Sequence, residues 1–122
     1  SGQQISDAEK ALATTITPME QAERNKEYAL YTMAILAKVY TDEVQNYTGS
    51  VVPLTDLPGV SDIVNTLRKS KNTGVKIAAI DALRYLNRPE YSKDISSILE
   101  IAANEKDPLV ARAAAAALNT IK

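Results

Sequence analysis

An all-α fold is predicted for this 122-residue chain by an internal repeat, by helical spacing of apolar residues within each copy, and by proline and glycine where helices should end. Residues 60–94 and 95–122 match at a gap-free offset of 35. Val60, Ile63, Val75, Ala78, Ala79, Ala82, Leu83 and Leu86 return as Ile95, Ile98, Val110, Ala113, Ala114, Ala117, Leu118 and Ile121. A period of that length holds two helices and a turn, and neither helix buries its apolar face alone, so the copies must stack. The expected architecture is a short right-handed α-α superhelix of helix pairs. Two pairs fall short of the roughly three repeats that such a stack needs, so a long N-terminal helix is expected to act as a cap or third layer. The chain divides accordingly into an N-terminal helical segment, 1–48, a linker, 49–59, and two repeats, 60–94 and 95–122.

The elements follow in order. Ser6 with Glu9 forms a capping-box pattern that opens a short helix to about Thr15. Thr17-Pro18-Met19-Glu20 is a stronger one, with Thr17 accepting from the amide three residues on, Pro18 in the first turn and Glu20 reaching back. It opens a long helix from Pro18 to about Gln45, stopped before Gly49. Its first turns are polar, but from Tyr28 to Tyr40 it is apolar or aromatic nearly all round, a pattern expected of a helix enclosed by several neighbours. Gly49, Pro53, Pro58 and Gly59 mark the linker, which either seats the N-terminal helices on the repeats or lets them move. Four repeat helices are then expected at about 60–71, 74–87, 94–105 and 108–121. Asn72 or Thr73 caps the second, Pro89 ends it, and Asp107 with Pro108 opens the fourth.

Composition excludes several classes of function. The chain has no His and no Cys, which removes imidazole bases, thiolate nucleophiles and the common zinc sites. Phosphate-binding glycine loops and Ser-x-x-Lys dyads are also missing from the sequence. Glu20, Glu23 and Glu27 share a helix face, where acids near a helix start are favoured on electrostatic grounds alone. Asn46-Tyr47-Thr48 is a glycosylation sequon that matters only in a secreted eukaryotic protein. No apolar run approaches the roughly 18 residues of a membrane span, and the N-terminus lacks the pattern of a signal peptide. Ser1-Gly2 has the look of a cleaved tag, so a targeting segment is not ruled out. A cysteine-free chain suits the cytoplasm, the favoured side, or an exported compartment.

Residues 107–110, Asp-Pro-Leu-Val, followed by Ala114, Ala117 and Leu118, resemble the second helix of a HEAT repeat of the bacterial type. Asn72-Thr73-Gly74-Val75-Lys76, then Ala79, Ala82 and Leu83, resembles it one repeat earlier. Valine, the two alanines and leucine share one face, and the alanines let a partner helix come close. The resemblance covers about residues 59–122. It implies an armadillo-type α-solenoid with a scaffold or binding role and no catalytic residue or cofactor to carry over. One departure is visible: HEAT repeats favour a basic residue after the valine, which Lys76 supplies and Ala111 does not, so no regular charge ladder between repeats is expected.

Candidate binding residues come from charge and from tyrosine. Residues 1–43 carry seven acids and four bases, a net −3, whereas residues 68–93 carry seven bases and two acids, a net +5. Arg68, Lys69, Lys71, Lys76 and Arg84 from this basic segment are the expected contacts for an acidic protein partner, or alternatively for nucleic acid or another polyanion. The chain's overall acidity and lack of tryptophan favour the protein. Four of the six tyrosines lie between Tyr28 and Tyr47, and Tyr28 and Tyr31 join the candidate set because tyrosine buries an aromatic body while keeping a polar tip wet. On the last helix, Ala115 and Ala116 lie opposite the apolar face. Such small residues would admit a helix from a following repeat or from a second copy of the chain. A non-enzymatic interaction module is the leading reading; a lyase, as some HEAT-like proteins are, would share only the repeat.

Overall fold

The computed structural model describes residues 18–121; the short helix expected from Ser6 to Thr15, the Thr17 end of the second capping box and Lys122 lie outside them. Five α-helices carry the fold, and there is no strand among the described residues. They are α1, Pro18–Thr48; α2, Val60–Lys69; α3, Thr73–Tyr85; α4, Ser92–Ala102; and α5, Pro108–Ile121. A single 3-10 turn, Leu54–Asp56, interrupts the linker.

α5 and the start of α2 fall where the sequence places them, while other helix ends differ from expectation by one to three residues, each for a local reason. α1 runs on to Thr48, because nothing in Asn46-Tyr47-Thr48 opposes a helix, and stops at Gly49, whose φ of 71° suits glycine. α2 stops at Lys69 because Ser70 turns extended and its hydroxyl accepts the Asn72 amide at 3.2 Å. Asn72 then caps α3, its Oδ1 accepting the Val75 amide at 3.0 Å. α4 starts early, at Ser92, just after the buried Tyr91. It ends in a tightened turn, with the amides of Asn104 and Glu105 each donating three residues back. Asp107 caps α5 by accepting the Leu109 amide at 3.0 Å.

α1 lies along α3, and α3 lies along α5; α2 packs on α3 and α4 on α5, with lesser contacts between α2 and α4. Within this arrangement Val75, Ala79, Leu83, Val110 and Ala114 are fully buried, as the repeat requires, while Leu118 is only half-buried near the end of the last helix. Alanines occupy the helix crossings: Ala34 and Ala37 on α1, Ala78, Ala79 and Ala82 on α3, Ala114 and Ala117 on α5. Their small side chains let long helices approach closely, and the large side chains of Ile63, Leu67, Ile95 and Leu99 fill the space beneath.

The linker belongs to this core. Leu54 and Leu57 are buried in it, and Gly59 (φ 81°) passes so close to α1 that a Cβ there would stand 3.0 Å from Met33 Cβ. Tyr91 fastens the linker further. Its hydroxyl donates to the Val52 carbonyl at 2.6 Å, and since a phenol has one proton to give, the Thr41 hydroxyl, 2.7 Å away, must donate to Tyr91. One buried phenol thus joins α1, the linker and the start of α4.

Candidate functional site

Polar side chains link the starts of the two helices that open with these caps. Thr73 donates its hydroxyl to Asp107 Oδ2, so the start of α3 is tied to the start of α5. Lys76 points inward, its side chain only 12% exposed, and its ammonium meets both oxygens of Glu105 at 2.7 and 2.8 Å. Thr73's hydroxyl, assisted by the amides of Leu109 and Val110, holds the Asp107 carboxyl below the ordinary range. Lys76 therefore serves as a rung between repeats, at the one position where the sequence offers a base after the valine.

The other expected cations are dispersed. Arg68, at the end of α2, borders an apolar groove against α4 that is lined by Ile98, Ile101 and Glu105. Lys69 and Lys71 border a separate, polar groove of about 740 Å³ with Glu23, Lys26 and Asp62. All three cations are exposed. Arg84 lies on α3, facing Asp81 at 3.5 Å. The five do not form one patch. Nearby acids take up much of the basic segment, since Arg88 also donates to Asp42 (2.9 Å), Gln45 (2.8 Å) and Glu90 (3.1 Å).

Tyr31 and Arg84 do come together. They line a groove of about 500 Å³ between α1 and α3, with Ala34 and Ile35 on one wall and Asp81 and Tyr85 on the other. Asp81 organises it: one carboxylate oxygen accepts the Tyr31 hydroxyl at 3.4 Å while the other faces Arg84. Burial, and then the negative charge of Asp81, pushes the Tyr31 phenol above its ordinary pKa. Lys38 rests over the Tyr85 ring, 4.9 Å from its centroid. The groove thus offers two aromatic surfaces and an apolar floor beside the Asp81–Arg84 pair, which together suit an apolar side chain carried beside a polar group. Tyr28 is not part of it; it stands on the outer face of α1, 68% exposed.

The outer face of α1 is the largest departure from expectation. α1 touches α3 and α2, but it buries only Leu30, Ala34, Ala37 and Thr41. Ile35, Leu36, Val39 and Tyr40 remain between 45% and 59% exposed, so the described residues do not enclose this helix. Ala115 and Ala116 are exposed on α5.

Tyr85, Lys38 and Ile35 were not singled out from the sequence. They look ordinary on their own helices, and their assembly depends on which face of α1 meets α3. Among the described residues no cluster of acids is arranged to hold a metal ion, and no helix is long and apolar enough to cross a membrane. Glu23 pairs with Lys26 at 3.2 Å, and Glu27 covers Gly74 in the first turn of α3, where negative charge is favoured. Comparison with protein-family models, with curated proteins and with solved structures finds no match to this chain.

Proposed function

We propose that this chain is a non-enzymatic binding module, a short α-solenoid of HEAT-like helix pairs with α1 as its third layer, which holds another protein in the groove between α1 and α3. The observation that carries the reading is the groove itself: Tyr31, Tyr85 and Arg84 converge there around Asp81, and Lys38 rests over the Tyr85 ring. Tyrosine and arginine are the residue types that anchor protein interfaces, because they combine large contact area with directed hydrogen bonds. Side-by-side packing of α1, α3 and α5, with α2 and α4 against them, supports the stacked-pair reading, as do the paired caps at Asn72 and Asp107.

An acidic partner is favoured, since Arg68, Lys69 and Lys71 stand exposed at and just after the end of α2. The alternative, a polyanion held by the whole basic segment, has less support because Lys76, Arg84 and Arg88 face acids of the chain itself. At the other end of the stack, the exposed Ala115 and Ala116 leave room for a further helix pair.

The test is affinity capture from the source organism with wild-type chain and with Tyr31→Ala and Arg84→Glu. A partner that binds wild-type chain should lose on the order of 2 kcal/mol, about thirtyfold in Kd, to Tyr31→Ala. Equal retention by both variants would refute the groove. In parallel, binding to random duplex DNA at low salt, lost steeply as salt rises, would favour the polyanion instead.

A further inference from the structure

The outer face of α1 is a stripe almost free of charge. At helical spacing it presents Tyr28, Thr32, Ile35, Leu36, Val39 and Tyr40, all exposed. The charges along its flanks are already committed within the chain: Lys26 to Glu23, Lys38 to the Tyr85 ring, Asp42 to Arg88. Two exposed charges at the ends of the stripe, Arg24 and Glu43, have no ion pair among the described residues.

From these observations we infer that α1 is a homodimer interface, in which two copies of the chain pair their α1 helices antiparallel through this stripe. The occupant follows from the symmetry of the stripe. A two-fold axis passing at the Met33–Ala34 peptide brings Tyr28 against Val39 of the second copy and Thr32 against Ile35. The same axis, with no further adjustment, puts Arg24 opposite Glu43. One register therefore matches aromatic with aliphatic, seats the apolar centre and pairs the two uncommitted charges of opposite sign. A face intended for an unrelated partner has no reason to be complementary to itself. This surface is adjacent to the α1–α3 groove and shares Ile35 with it.

Sedimentation of the full chain across a concentration series tests the inference. Wild-type chain should show the mass of two copies, and Tyr28→Glu with Val39→Glu should show the mass of one while retaining its helical circular dichroism, because both positions are exposed. Glu43→Arg should weaken the dimer roughly tenfold, since each substitution acts twice across a two-fold axis and turns attraction into repulsion. Adding Arg24→Glu to Glu43→Arg should restore it. A wild-type chain that is monomeric throughout overturns the inference. A dimer indifferent to Glu43→Arg overturns the antiparallel register. Neither result affects the groove, whose reading depends on partner binding by Tyr31→Ala and Arg84→Glu.

Discussion

Tyr91 shows how much of this fold depends on a single hydroxyl. Its ring is buried, and its oxygen serves two elements at once, donating to the Val52 carbonyl and accepting from Thr41. Tyr91→Phe keeps the packing and removes both bonds, leaving a carbonyl and a hydroxyl short of a partner in the interior. Chemical denaturation should show a loss of about 1–3 kcal/mol, with Thr41→Val costing less in the Tyr91→Phe background than alone because the two share a bond. Asp107 provides a second residue-scale test through pH. Its carboxyl titrates below the ordinary range, so its contribution to stability is fully present above that range and is lost as pH falls through the depressed folded value. Thr73→Val removes the main cause. In that variant the Asp107 midpoint, followed by NMR, should move up, and the acid limb of the stability profile should flatten.

At the scale of elements, the two glycines with positive φ separate backbone strain from crowding. Gly49 ends α1 with open space around the missing Cβ, so Gly49→Ala carries only the left-handed backbone cost, about 1–2 kcal/mol in thermal or chemical unfolding. Gly59 has a similar φ, and a Cβ there would also stand 3.0 Å from Met33 Cβ, so Gly59→Ala should be the more damaging of the two. The repeat helices were legible in the sequence because Val75, Ala79 and Leu83, and their counterparts at Val110, Ala114 and Leu118, carry the packing pattern in the residues themselves. The surroundings of α1 were not. An apolar residue reads the same whether a neighbour covers it or water does, so Leu36 and Tyr40 gave no sign that they would stay exposed. The groove was half visible: Tyr31 and Arg84 stood out by type, but the hydrogen bond between Tyr31 and Asp81 joins residues 50 apart, and no local pattern encodes it. Lys76 shows the opposite case, a base conspicuous in the charge count whose side chain is spent on Glu105.

Across the whole molecule, one core joins α1, the linker and both repeats, with Leu30, Leu54, Leu83 and Val110 all members of it. Helical-repeat proteins can unfold piecemeal when each interface is weak relative to the chain's length, whereas a helical chain this short, with shared polar links at Thr73–Asp107 and Lys76–Glu105, should unfold as a unit. Neighbouring alanines on α5 make a test. Ala114 is fully buried, and Ala115 beside it is exposed. Ala114→Glu puts an unpaired charge into the core and should cost about 3 kcal/mol or more, while Ala115→Glu should stay within about 0.5 kcal/mol. Where the destabilisation appears matters more than its size. If the fold is cooperative, Ala114→Glu shifts the midpoint read from the α1 tyrosines by as much as the midpoint read from total helicity, although α1 does not touch α5 at any of the principal helix contacts. Two separated transitions, with α1 unfolding at its wild-type midpoint, would instead show that α1 and the repeats are energetically distinct, and that the linker leucines and Tyr91 couple them only weakly.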